Sequence, residues 1–386
     1  MKYRLKDLDI FDLKGKKFSF RFDLPKLITF TLWLVVNIFF LLKNGMVTTG
    51  EAEKYIGQAN LFSQSGHLSA SNLWMYFTQI ALLSFCIKFK LDFVCAVIVQ
   101  LFFNFFSLLY FYNTLVCLLK SSVIALIGAL ILLLNQPYQE FNTFLQTESL
   151  FYSFSLILSC YVIRVEKLSL KKFTIIILLL FLVCITRPTG LLFIPPVFLY
   201  LFFIYFRKLG ALKKLSILGA TSFLFLFLIN KALSSGGEFD FMLPFRNEDI
   251  ICGLPSLTHA ASITTSSESN SIFGLLYYVT HNFGQFIRLA WDKTIAFFGL
   301  YRTYYSTWHN IYLIAYFSLI HIFTLAGISF WIKKDLYKFL YFLSAIFMTW
   351  LTVMLTCDDW HNRFYLSISP YLIILSLGFI KKLSAR

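Results

Sequence analysis

Charge is scarce in this sequence. Only 14% of its 386 residues are Asp, Glu, Lys or Arg, against about 25% in an ordinary soluble domain. Acids are scarcer still, 19 against 34 Lys and Arg. A Gly-rich phosphate loop, a zinc-type spacing of Cys and His, a clear internal repeat and any stretch with the look of a soluble catalytic module are all missing. Asn-x-Ser/Thr sequons are absent as well, which agrees with a bacterial membrane while excluding little. What is abundant is apolar surface: 58% of the residues are hydrophobic, with 47 Phe, 21 Tyr and 7 Trp. A water-soluble globule of this composition would expose more aromatic surface than so few charges can interrupt. The two or three soluble domains that length alone suggests, at about 150 residues each, are therefore excluded, and the bilayer is the natural solvent.

The net charge of +15 does not point to nucleic acid, because the basic residues fall in clusters between apolar runs. They run from Lys2 to Lys26, then Lys88 and Lys90, Arg164 to Lys172, Arg207 to Lys214, Lys333 to Lys338 and Lys381 to Arg386. That is the positive-inside pattern. The intervening loops, Glu51 to Asn72, Asn135 to Glu148, Lys231 to Asn310 and Cys357 to Arg363, are poorer in Lys and Arg for their length and are expected outside.

The fold expected is all-α and polytopic, with about ten membrane helices of roughly 20 residues and outside loops that carry short amphipathic helices. The candidate spans are Leu27 to Leu42, Leu73 to Ile87, Leu91 to Leu119, Ser149 to Ile163, Phe173 to Thr186, Leu191 to Phe206, Leu215 to Ile229, Ile311 to Trp331, Phe339 to Thr356 and Tyr365 to Ile380. Both termini then face the cytoplasm, so the number of crossings is even. The short apolar run Ser122 to Leu134 is read as a half-helix or as a continuation of the segment before it. The first span lacks a small-residue cleavage site and reads as a retained helix. Four regions result: a cytoplasmic basic segment over 1–26, an N-terminal transmembrane module over 27–230 with its first outside loop at 43–72, a long outside loop over 231–310, and C-terminal membrane helices over 311–386.

Cys86, Cys95, Cys117, Cys160 and Cys184 lie in or beside apolar spans and read as packing residues. Cys252 and Cys357 both fall in outside loops and could pair.

Chemistry must then sit in the outside loops or between helices. In the first loop, a helix starting near Gly50 would put Glu51, Tyr55 and Ala59 on one face and turn Glu53 elsewhere. The two acids would equally serve as first-turn charges on the helix dipole. Glu148, after Thr147, stands at the mouth of a span, where a charge costs far less than at mid-depth. Thr186-Arg187-Pro188-Thr189-Gly190 leaves a cation at the outside face, suited to bidentate phosphate binding or to snorkelling towards a headgroup. Cys357-Asp358-Asp359-Trp360-His361-Asn362-Arg363 offers a second cation, Arg363. Asp358, Asp359 and His361 are candidate ligands for a divalent metal, the one cofactor the sequence leaves open. The segment Ile272 to Tyr305, with His281, Arg288, Trp291, Lys293 and Arg302, is aromatic and amphipathic and is expected along the interface as an anchor or as a lid. Arg302 and His361 are further candidates for substrate contact.

The order of these features, Gly50-Glu51 with Tyr55 and Ala59, Thr147-Glu148 before a span, Arg187-Pro188-x-Gly190, and Asn362-Arg363-Phe364 running into Pro370, resembles the GT-C class of integral membrane glycosyltransferases. It is most similar to the bacterial relatives of protein O-mannosyltransferases and lipid A aminoarabinose transferases. The resemblance implies transfer of a sugar from a polyprenyl-phosphate carrier to a glycan, lipid or protein acceptor outside the cytoplasmic membrane, with inversion. It implies Glu51 as general base, in the place where the family commonly carries an aspartate four residues before the tyrosine. Glu53 stands as the other acid of that motif. Glu148 matches a second loop acid, and Arg187 and Arg363 match the phosphate-binding arginines. The glutamate at 51 is one methylene longer than the family's aspartate. The chain is also short for the class. A transporter or flippase of lipid-linked sugars, a polysaccharide polymerase or ligase, and a structural membrane subunit are the competing readings; the first of these commonly shows paired repeats and midplane charges.

Overall fold

The computed structural model describes residues 24–206, 209–234, 242–254, 263–265 and 270–384. The basic segment up to residue 23, the Gly236-Gly237 pair and part of the Ser/Thr-rich stretch 262–271 lie outside the described residues. The chain is 82% helix with no strand among the described residues. Without water in the bilayer core, a helix is the conformation that satisfies every backbone donor within its own segment.

Among the described residues, seven helical segments are long and apolar enough to cross a membrane: Leu24–Asn44, Val94–Leu119, Pro188–Tyr205, Ala211–Lys231, Thr307–Lys334, Leu336–Leu355 and Trp360–Leu383. Each coincides with an expected span, and together they make an all-α membrane protein. The expected spans around Leu73, Ser149 and Phe173 are shorter helices, α3 (Phe77–Lys88), α7 (Glu148–Arg164) and α8 (Leu170–Cys184), of 12, 17 and 15 residues. The first is shortened because Ser71–Tyr76 winds as a 3-10 turn. α7 extends the expected span by one residue at each end. The run Ser122–Leu134 is a separate helix, α5, and with Gln136–Thr143 it forms a pair bent by 69°. Lys120, at φ 50°, breaks it from α4 (Val94–Leu119), and Ser121 caps it by accepting from the Ile124 amide at 3.3 Å. The half-helix expectation therefore describes it better than a continuation.

The chain divides into two compact units, with a boundary at Tyr200/Leu201. The first is Met1–Tyr200 with Phe323–Tyr341 and Pro370–Arg386. Its centre is α7, buried from Glu148 to Ile163 and packed between α4 and α8. A helix enclosed by protein on all sides need not match the bilayer thickness by itself. Beside it α2 (Glu51–Ser65) packs on α3, with Ala52, Tyr55 and Ala59 meeting Ile80, Leu83, Cys86, Ala96, Val97 and Leu145 in one buried cluster.

The second unit is Leu201–Ile322 with Phe342–Ser369. It contains α10 (Ala211–Leu233), α11 (Met242–Arg246), α12 (Ile272–His281) and α13 (Phe283–Gly299). α12 and α13 bury Tyr278 and Leu289 against Met242 and Phe245 and expose Phe273, Leu276, Phe283, Ile287, Trp291 and Ile295. An exposed apolar face on a helix of this kind suits the membrane interface. Cys252 and Cys357 form a disulfide with Cα atoms 5.1 Å apart. Around it the Cys252 amide donates to the Asp358 carbonyl and the Asp358 amide to the Ile250 carbonyl, both at 2.8 Å. The other five cysteines are unpaired.

Candidate functional site

Gly50 makes the start of α2 possible: its φ of 69° lies in the left-handed region, where a side chain would be strained. The loop before it is clipped to a distant segment. The Val47 amide donates to the Thr143 carbonyl and the Leu145 amide to the Val47 carbonyl, each at 3.0 Å, so the first turn of α2 is drawn to the loop that leads into α7. A buried amide network holds that loop in turn. Asn142 Nδ2 donates to Asn37 Oδ1 at 2.9 Å and to Gln139 Oε1 at 3.2 Å, and Ser149 Oγ donates to Asn142 Oδ1 at 2.7 Å. Gln100 Nε2 reaches the Phe144 carbonyl at 2.9 Å. Glu148 thus sits in the first turn of α7, where the helix dipole favours its charge.

The Arg187 turn arrives from a third direction. The Thr78 amide donates to the Ile185 carbonyl at 3.2 Å, and the Thr78 and Thr186 hydroxyls are 2.8 Å apart. Gly190 closes the turn with its amide on the Arg187 carbonyl at 2.8 Å. Its role is space rather than torsional freedom, since a Cβ there would run into the Val183 backbone carbonyl. Arg187 Nη1 forms an ion pair with Glu148 Oε1, whose side chain is fully buried.

Tyr55, 2% exposed, reports how these groups converge. Burial pushes its phenol well above the ordinary value; the carboxylates of Glu148 and Glu51 push it further, and the Arg187 guanidinium opposes them. Glu51, Tyr55, Glu148 and Arg187 therefore share one neighbourhood in the first unit. The face expected for α2 needs one adjustment. The buried stripe is Ala52, Tyr55 and Ala59, and Glu51, one position earlier, is exposed at its edge. Glu53 is exposed. Residues that sequence reasoning passed over include Lys54, whose Nζ lies 4.7 Å from the centre of the Tyr76 ring, and the amides of Asn37, Gln79, Gln100 and Asn142. For Asn37, Gln79 and Gln100 the signal was an uncharged polar side chain inside an apolar run, which a search for charges overlooks.

The remaining candidates lie in the second unit. Arg302 Nη2 pairs with Asp358 where both side chains are fully buried, and its Nη1 donates to the carbonyls of Ala296 and Tyr301 at 3.0 Å. This guanidinium is taken up by the fold, against the expectation that Arg302 presents it to a substrate. Arg363 Nη2 donates to Asp359 at 2.6 Å. Burial pushes the Asp358 carboxyl up to about 6, with Arg302 opposing. His361 and Asn362 both adopt left-handed backbone, at φ 56° and 57°, a strained arrangement for two successive non-glycine residues. The His361 ring stacks on Tyr305, with centroids 5.9 Å apart. With each aspartate turned to an arginine and the histidine turned to a tyrosine, Asp358, Asp359 and His361 do not gather as metal ligands. No group of three or more His, Cys, Asp or Glu among the described residues is placed to hold a metal.

Lys293 on α13 is buried, with Nζ donating to the Thr356 carbonyl and lying 4.5 Å from the centre of the Phe245 ring. Burial lowers its pKa to about 8, and Asp249 pulls the other way.

No family model, curated protein or solved structure matches the chain.

Proposed function

We propose that this protein is a membrane glycosyltransferase that moves a sugar from a polyprenyl-phosphate carrier to an acceptor hydroxyl at the outer face of a bacterial cytoplasmic membrane. The observation that carries the reading is the neighbourhood of Tyr55, where Glu51, Glu148 and Arg187 come together from three separate segments. A sugar hydroxyl is a weak nucleophile at neutral pH and needs a carboxylate to take its proton as the new bond forms. Glu51, exposed at the edge of the buried stripe, is the acid proposed for that role. The acceptor oxygen attacks the anomeric carbon from the face opposite the carrier, and the bond from that carbon to the phosphate oxygen breaks. The proton ends on Glu51, and the electron pair leaves with polyprenyl phosphate. Arg187 supplies positive charge near the leaving phosphate, and Glu148 holds the guanidinium in place.

In this reading about ten segments cross the bilayer, both termini are cytoplasmic and the site faces outside. A disulfide is at home in an oxidising compartment, so the Cys252–Cys357 bridge supports placing its loops on that side. Membranes supplied with a polyprenyl-phosphate sugar and a hydroxyl acceptor provide the test. Glu51→Gln should abolish transfer with the folded protein retained, and full activity in that variant would remove Glu51 as base.

One observation favours a transporter instead. The bent pair of α5 with Gln136–Thr143 is the kind of discontinuous helix that transporters use around a substrate. Movement of intact lipid-linked sugar across sealed vesicles, with no glycosidic bond made, would decide for that reading.

A further inference from the structure

Near the Glu148–Arg187 pair the fold buries polar groups and leaves them unanswered. Gln79 is 0% exposed, and neither its amide nitrogen nor its amide oxygen has a hydrogen-bond partner. Gln100 Oε1 and the hydroxyls of Thr147 and Thr189 are buried in the same condition. Their places in the chain tie them to one region. Thr147 precedes Glu148, and Thr189 belongs to the Arg187 turn. Gln100 donates to the Phe144 carbonyl of the loop that leads to Glu148. Gln79 follows Thr78, whose hydroxyl is 2.8 Å from that of Thr186. It stands three positions after Tyr76, whose ring centre is 5.5 Å from that of Tyr55, and its helix neighbours Ile80 and Leu83 pack in the cluster that holds Tyr55. A buried amide with both ends unpaired is less stable than an apolar side chain of the same size. Packing alone therefore gives no reason for glutamine at this position.

We infer that Gln79, with Gln100 Oε1 and the hydroxyls of Thr147 and Thr189, forms the subsite that reads the hydroxyl groups of the transferred sugar; this rests on the transferase reading above. The inventory of unpaired atoms identifies the ligand chemistry. Two of them are amide oxygens, which only accept, and these repel a phosphate, itself an acceptor. One amide nitrogen donates, and two threonine hydroxyls do either. Such a neutral mixture of donors and acceptors complements a polyol, whose every hydroxyl both donates and accepts. A primary amide places one donor and one acceptor side by side, the arrangement that engages two adjacent sugar hydroxyls at once. Recognition of the phosphate is left to the guanidinium, so one site separates the two halves of its substrate by charge. A site built to hydrogen-bond hydroxyls discriminates strongly against a ligand that lacks them, because its polar groups then stay unpaired.

The experiment compares two probes on the purified full-length chain: bare polyprenyl phosphate, and the same carrier bearing glucose, mannose, galactose or N-acetylglucosamine. Wild type is expected to bind at least one sugar-bearing carrier about tenfold or more tightly than the bare carrier, the factor that one net hydrogen bond supplies. Gln79→Leu should reduce that preference to near unity, leave affinity for the bare carrier unchanged, and give a thermal midpoint equal to or above that of wild type. If Gln79→Leu does not fold, Thr147→Val takes its place, with the same loss of preference expected. A wild type that binds all carriers equally overturns the inference, as does a variant that keeps the full preference; the unpaired groups then serve ordered water only. Failure of every carrier to bind, bare or loaded, would instead overturn the transferase reading itself, so the two failures are distinguishable.

Discussion

Glu148 and Arg187 stand 39 positions apart and form an ion pair with the carboxylate fully buried. Removing one partner of a buried pair strands the other charge, at a cost of about 3–5 kcal/mol. Arg187→Met and Glu148→Gln should each destabilise the protein on that scale. The double variant should recover most of the loss, as an unfolding series in detergent would show.

Transfer activity should respond differently to the two acids. Glu51→Gln removes the proposed base from an exposed position and should lower the melting temperature less than Glu148→Gln does, while transfer falls at least about 100-fold, the lower end of what a general base contributes. Glu148→Gln should lower both. Parallel melting curves and initial rates separate these cases.

Gly190→Ala tests the Arg187 turn without touching a charge. Its Cβ would meet rigid backbone at Val183 and lie 2.8 Å from Cys184 Cα, so the turn must shift. A loss of about 1–3 kcal/mol is expected, as for other overpacked sites. An unchanged melting temperature would mean that this turn yields freely.

Lys293 gives a pH signature. Its pKa is lowered to about 8 in the folded protein, against an ordinary 10.5. Between those values the unfolded chain binds a proton that the native protein does not, so stability rises with pH across the window. Below it the buried charge is a constant penalty. Lys293→Met should flatten the rise between pH 8 and 10.5, and an equal slope in the variant would show that another group is responsible.

Much of the fold was legible because a bilayer imposes a simple rule: long apolar runs become helices. That rule finds Leu24–Asn44 or Thr307–Lys334 at once. It also finds α7 to within a residue at each end, but not the network of Asn37, Gln139, Asn142 and Ser149 before it, which bonds across the fold. At the site, Glu51, Tyr55, Glu148 and Arg187 could be named from residue type and position at helix mouths. Their convergence depends on the Val47 and Thr78 backbone contacts, made by residues whose side chains carry no signal of such a role. Arg302 was misread for a related reason: a cation in an outside loop looks available until its buried partner, Asp358, is seen. The pairing of Cys252 with Cys357 could be raised from the sequence, but only proximity in space decides it.

That disulfide joins residues 105 positions apart and so closes a covalent ring around most of the second unit. A protease cutting once anywhere between Gly253 and Thr356 opens the ring without releasing a piece. The nicked chain would migrate as intact protein on a non-reducing gel and separate into two fragments only after a reductant is added. A single cut outside the ring gives two fragments under either condition. The position of any accessible cleavage site relative to the ring can thus be read from one pair of gel lanes.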